Sequence, residues 1–287
     1  MISAQPIILR FAPSPSGYLH LGHAYSALFS ATQAQKLKAR LLLRIEDIDT
    51  TRCRKSFEDA IYEDLRWLGI KWEEPVRIQS QHMNDYKKAL DQLDEQHLLY
   101  PCFCTRKEIQ AEIKQSGKAP HGPDGLIYPG TCKKIPLGQR QEKIDQGHPY
   151  ALRLDMKKSI ELTGPLYWRD VSAGQIKATP EDFGDVVLAR KDIATSYHLA
   201  VTVDDALQEV NYITRGKDLF EATHIHRLLQ ALLVLPVPTW HHHNLIYDDT
   251  GTRLAKRHNA LALRELRERG QNPKQVTAMA GFKNWSP

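Results

Sequence analysis

The chain has 287 residues, of which 41% are hydrophobic and 25% charged, with 39 Lys and Arg against 34 Asp and Glu. That suits a globular protein of one large domain or two intimate ones and excludes a disordered or fibrous class, while four cysteines are too few for a disulfide framework. No apolar run approaches the ~18 residues of a membrane span, and no basic segment precedes an apolar stretch at the start, so a cytoplasmic protein is expected.

Residues 7–11 (IILRF) read as a short buried strand, ended by Pro13 and Pro15, which lack amide donors and fix φ. From about 19 to 38 the pattern is helical, and 39–45 (ARLLLRI) reads as a second buried strand. Strand, loop, helix, strand is the unit of a parallel α/β sheet. Helices are expected at 54–68 and 82–96. Between about 101 and 185 the texture changes to short runs broken by PHGPDG, YPGTC, LTGP and SAG, which marks an insertion. Strands at 186–190, 199–203 and 210–214 are expected to resume the framework, followed by a helix at 221–235 and a basic helix at 260–269. No internal repeat or low-complexity linker occurs.

Charge is concentrated near the end. Residues 253–274 hold Arg253, Lys256, Arg257, Arg264, Arg267, Arg269 and Lys274 against Glu265 and Glu268, a surplus equal to that of the whole chain. Such a patch attracts phosphates or is simply a solvated helix face, and charge alone does not choose.

The segment Arg10-Phe-Ala-Pro-Ser-Pro-Ser-Gly17-Tyr-Leu-His20-Leu-Gly-His23 carries the densest chemistry. His20 and His23, three apart at a helix start, share a face where free amides and the positive dipole end favour anions. Gly22 between them lets a flat base or ribose approach the backbone. Neither GxGxxG nor GxxxxGK[ST] is present, so the usual phosphate-binding loops are not available. Cys102, Cys104, Tyr128 and Cys132 form a Cys-x-Cys followed by Tyr-x3-Cys, a set open to zinc or to plain burial. Cys53 is left over. In His241-His-His243 consecutive residues of a strand point to alternating faces, so metal binding is not expected there.

The first segment resembles the HIGH signature of class I aminoacyl-tRNA synthetases in its glutamyl and glutaminyl form. Arg44-Ile-Glu-Asp-Ile-Asp49 with Arg52 is similar to that group's next block. Asp182-Phe-Gly-Asp185, Ala200-Val-Thr-Val-Asp204-Asp205-Ala and Arg215-Gly-Lys-Asp-Leu219 follow in the same order. The resemblance covers nearly the whole chain. It implies an α/β fold: a Rossmann-like parallel-sheet catalytic domain from 1–100 and 186–258, a zinc-bearing α+β insertion at 101–185, and a short basic helical tail at 259–287.

The resemblance also implies a site. Glutamate, with two carboxylates and one ammonium, would lie against Arg10, Phe11, Ala12, Pro13, Ser14, Glu46, Tyr197 and Arg215, with Glu46 on the ammonium and arginine forks on the carboxylates. Arg215 favours glutamate over neutral glutamine. ATP, with Mg²⁺, would meet His20, Gly22, His23, Arg253 and Lys256. Thr252-Arg253-Leu-Ala-Lys256-Arg257 looks like the KMSKS loop, with Arg253 for its first Lys and Ala255 for its Ser. His20, His23 and Lys256 would be catalytic. Short glutamyl-tRNA-synthetase-like proteins place a Cys-x-Cys, Tyr-x3-Cys set in this insertion, which implies one structural zinc on Cys102, Cys104, Tyr128 and Cys132.

Only 30 residues follow Arg257, so the expectation is a truncated form without an anticodon-binding domain. For that form the resemblance implies activation of glutamate without tRNA and its transfer to queuosine in the anticodon of tRNA(Asp), by a monomer. A minimal synthetase charging a tRNA 3′ end is the second reading, separable by acceptor chemistry. A non-catalytic RNA-binding relic is the third, and His20, His23, Glu46 and Lys256 speak against it.

Overall fold

The computed structural model describes residues 5–115, 121–123, 125–246 and 261–286. Its first unit is β1 (Ile8–Phe11), α1 (Leu21–Leu37) and β2 (Arg40–Ile45), followed by α2 (Lys55–Trp67) and β3 (Glu73–Ile78). β1 and β3 each pair in parallel with β2. Ala24, Ala27, Ala31 and Ala34, all buried, let α1 lie close on this sheet, and Lys38 ends the helix in the left-handed region at φ 51°. After β1 the proline loop is pinned by its carbonyls: Pro13 accepts the Glu46 N–H at 3.0 Å and Pro15 the Arg54 N–H at 3.1 Å.

Next come α3 (Met83–Glu95), β4 (Leu99–Cys102), α4 (Arg106–Gln115), the two-residue strands β5 (His121–Gly122) and β6 (Gly125–Leu126), α5 (Leu137–Asp145), β7 (Ala151–Leu154) and α6 (Met156–Thr163). Then follow the hairpin β8 (Tyr167–Asp170) and β9 (Gly174–Lys177), β10 (Val187–Arg190), α7 (Tyr197–Leu207), β11 (Tyr212–Gly216), α8 (Ala222–Leu232) and β12 (Thr239–His243), with α9 (Leu263–Glu268) and α10 (Pro273–Met279) last. Among the described residues no helix is long and apolar enough to cross a membrane.

Two sheets share the framework. β12 pairs in parallel with both β11 and β8, and β1 lies beside β11, where Ile8 accepts the Asn211 N–H at 3.2 Å and donates to Asn211 Oδ1 at 2.9 Å. Across the molecule the strands therefore run β3, β2, β1, β11, β12, β8. From β1 the chain turns to one side and from β11 to the other, which opens a crevice between their carboxyl ends.

The structure corrects three expectations. Residues 199–203 are helix, inside α7: a run buried on every side has no periodicity to separate strand from helix, and Ser196 caps it by accepting the Leu199 N–H. The strand at 187–190 joins an antiparallel sheet, β10-β7-β4, instead of the parallel one. The β8–β9 hairpin leaves the expected insertion and extends the parallel framework. The expected basic helix is α9, and the tail joins the main core: Leu263, Leu266, Val276 and Ala280 are buried in the same cluster as α1. Trp285 Nε1 donates to the Leu68 carbonyl at 2.9 Å.

Candidate active site

A cleft of about 390 Å³ opens at that crevice. Its walls include all eight residues expected to hold glutamate, Arg10, Phe11, Ala12, Pro13, Ser14, Glu46, Tyr197 and Arg215, together with His20, Gly22 and His23. They come from the ends of β1, β2 and β11 and the starts of α1 and α7. Arg253 and Lys256 lie outside the described residues. The chain on either side of them meets the site: Ile246 lines the cleft, and Ala262 bridges His20.

His20 and His23 cap α1 reciprocally. His20 Nδ1 accepts the Gly22 N–H at 3.1 Å, and His23 Nδ1 accepts the His20 N–H at 3.2 Å. A neutral imidazole that accepts at Nδ1 carries its hydrogen on Nε2, so capping sets both tautomers and equips both rings as donors.

At the inner end, Asp205 of α7 accepts Arg10 Nε at 2.9 Å and Arg44 Nη1 at 2.8 Å, and Arg44 reaches Glu46 at 3.1 Å. Burial raises the Asp205 carboxyl pKa, and the two guanidiniums outweigh it and hold it below the usual range. At Glu46 burial wins over Arg44 and Arg10, and its pKa is raised. Arg10 also donates to the Thr214 carbonyl at 3.1 Å, which ties β1 to β11.

Arg215 is built differently. It is 5% exposed, yet among the described residues it has no carboxylate within ion-pair distance. Nε donates to His242 Nε2 at 3.0 Å, Nη1 meets His226 Nδ1 at 3.1 Å, and Nη2 donates to Thr223 Oγ1 at 2.6 Å. Burial lowers its pKa. A buried cation among neutral acceptors at the wall of a cleft is arranged to receive an anion. Tyr197 stands beside it, with its ring 5.6 Å from that of His226.

Sequence reasoning missed Asp205 as a partner, as well as Thr223, His226 and His242. One signal existed for Asp205: two carboxylates inside an apolar run need cationic partners if buried. The histidine run alternates as expected, with His241 and His243 against Phe29 and His242 against Phe220.

Cys102, Cys104 and Cys132 come together, with their sulfurs all within 4.8 Å of one another. Cys104 Sγ lies 3.2 Å from Cys132 Sγ and 3.6 Å from Tyr128 Oη, and Tyr128 Oη accepts the Cys132 N–H at 2.8 Å. Burial pushes the Cys104 thiol up to about 12. Burial acts the same way at Cys132, but hydrogen bonds from Tyr128 and Cys104 outweigh it and lower its pKa. Three sulfurs at this spacing fit three corners of a tetrahedral zinc site. Cys53 stands apart, half-buried and 3.6 Å from Ser14.

Residues 6–287 match the family described as tRNA synthetases class I (E and Q), catalytic domain. A glutamyl-Q tRNA(Asp) synthetase of Rhodobacter capsulatus is 46% identical over 284 residues, 96% of this chain and 100% of that protein. A glutamate-tRNA ligase of Aquifex aeolicus is 35% identical over 97% of this chain but only 57% of its own length. The crystal structure of a glutamate tRNA ligase from Elizabethkingia meningosepticum in complex with its amino acid has the same fold, with a TM-score of 0.81 at 24% identity. The comparison covers 99% of this chain and 62% of that one. With its cleft at the switch point between β1 and β11 and this match along its length, the chain belongs to the class I aminoacyl-tRNA synthetases of the glutamate and glutamine group, a family of ligases.

Proposed function

We propose that this protein activates L-glutamate with ATP, without tRNA, and then transfers the glutamate to queuosine in the anticodon of tRNA(Asp). The observation that carries the choice of amino acid is Arg215, a buried guanidinium whose direct side-chain partners among the described residues are the neutral groups of His242, His226 and Thr223. In this reading Arg215, Arg10 and Tyr197 hold the carboxylates and Glu46 the ammonium. Phe11, Ala12, Pro13 and Ser14 form the wall. A neutral glutamine side chain would leave one cation without its counter-charge.

A glutamate carboxylate oxygen attacks the α-phosphorus of ATP, and pyrophosphate leaves. His20 and His23 donate from Nε2, Gly22 admits the nucleoside, and Arg253 and Lys256 neutralise the departing phosphates. Mg²⁺ bound to ATP shares that neutralisation. A hydroxyl of the queuosine cyclopentenediol then attacks the activated carbonyl, and AMP leaves. The acceptor is supported by the name of the Rhodobacter capsulatus relative, which aligns over its full length. Transfer to a tRNA 3′ end is the second reading, favoured by the similarity to the Aquifex aeolicus ligase.

Cys102, Cys104 and Cys132, with Tyr128 as the fourth donor, would hold one structural zinc. Its role is to tie β4 to the 128–132 segment.

Glutamate-dependent exchange of pyrophosphate into ATP, without RNA, tests the activation half. Arg215→Leu should lose it at ordinary glutamate concentrations while ATP binding persists, a cost of roughly 2–5 kcal/mol for a buried charge contact. A wild-type Michaelis constant for glutamate in that variant would misplace the pocket.

A further inference from the structure

We infer that Asp170 and His242 are positioning residues for Arg215, setting the direction of its fork through a single imidazole tautomer. The inference rests on the reading of Arg215 just given. Asp170 ends β8, in the hairpin that crosses from the expected insertion into the parallel framework, and is 1% exposed. Its Oδ1 accepts the N–H groups of Ser172 at 2.8 Å and Ala173 at 3.0 Å. Its Oδ2 accepts the His242 N–H at 3.1 Å and lies 2.8 Å from His242 Nδ1. A carboxylate so placed only accepts, so Nδ1 of His242 carries the ring hydrogen and Nε2 is left as the acceptor for Arg215 Nε.

The other side has one assignment as well. Arginine only donates, so His226 Nδ1 accepts from Nη1, and the hydrogen on His226 Nε2 points to His198 Nδ1 at 3.2 Å. Thr223 Oγ1 takes Nη2. Arg215 is therefore gripped by acceptors that carry no charge, which orient it without neutralising it. Arg10 shows the contrast: its Nε rests directly on the Asp205 carboxylate. At Arg215 the carboxylate is set one imidazole away, so the remaining donors keep a full charge for the ligand in the cleft.

Asp170→Asn tests this, because the amide of Asn, placed at His242 Nδ1, favours the tautomer that turns Nε2–H against Arg215. His242→Phe removes the acceptor. His242→Gln restores one through its carbonyl oxygen. In RNA-free pyrophosphate exchange, Asp170→Asn and His242→Phe should raise the glutamate KM about tenfold or more and leave the ATP KM within about twofold, and His242→Gln should recover most of the loss. A merely structural role would move both Michaelis constants together, or none, and would give no rescue by Gln; either result overturns the proposal. Should the wild-type chain show no glutamate-dependent exchange, the reading of the pocket fails separately, and long-range ¹H–¹⁵N spectra decide the relay. Nδ1–H at His242 in the wild type with Nε2–H in Asp170→Asn upholds it, and Nε2–H in the wild type overturns it.

Discussion

Arg10 donates from Nε to Oδ1 of Asp205 at 2.9 Å, and both side chains are almost fully buried. The same oxygen accepts Arg44 Nη1 at 2.8 Å, so one carboxylate of α7 serves guanidiniums of both β1 and β2. Replacing Asp205 by Ala leaves those two cations short of a buried partner. Urea unfolding should show a loss of about 3–5 kcal/mol. A loss below about 1 kcal/mol would mean that Glu46, Asp204 and solvent compensate.

Stability should depend on His242 between pH 6.5 and 4. Burial, followed by the charge of Arg215, lowers its pKa to about 4, against an ordinary value near 6.5. As the pH falls through about 6.5 the unfolded chain takes up a proton that the folded protein refuses until about 4, so the contribution is complete above the first value and lost by the second. The wild type should lose on the order of 3 kcal/mol more than His242→Gln across that window. Parallel stability curves would show that the ring is protonated in the fold.

Purified without chelator, the protein should contain about one zinc per chain, absent from a Cys102→Ser, Cys104→Ser double variant. Because the ion would tie β4 to the 128–132 segment, amide exchange should rise first along β4 and β7 and only later in β1 and β2. Metal-free wild-type protein would leave three packed thiols, with Cys102 and Cys132 buried and Cys104 partly buried, as the account of the cluster.

The first βαβ unit was legible because its punctuation is chemical: two prolines end β1, and the alternation of pattern from 19 to 45 fits helix and then strand. The eight residues expected against glutamate were named through resemblance, residue by residue, and one cleft gathers all of those positions. The run at 199–203 was misread because β-branched residues that are buried all round look alike in helix and strand. The grip on Arg215 was not legible at all. His226 lies 11 residues from it, His242 27, and the carboxylate that sets His242 a further 72 away, on a hairpin assigned to another part of the chain. Such links depend on strand order, and β8 beside β12 had no signal in the sequence. For the tail, charge alone did not choose between a phosphate patch and a solvated face; in the fold Arg267 pairs with Glu63 at 3.0 Å, and Leu263 and Leu266 enter the core.

The acceptor is the central claim, and one comparison tests it most directly. Radiolabelled glutamate is offered, with ATP, to tRNA(Asp) that carries queuosine but lacks its 3′ adenosine, and to unmodified tRNA(Asp) with an intact 3′ end. Periodate would not serve, because it oxidises the vicinal diols at both places. The account predicts that the first RNA accepts glutamate and the second does not, as expected if unpaired anticodon bases enter the cleft beside Arg215. Label on the second and none on the first would make the protein a 3′-charging synthetase and contradict the account.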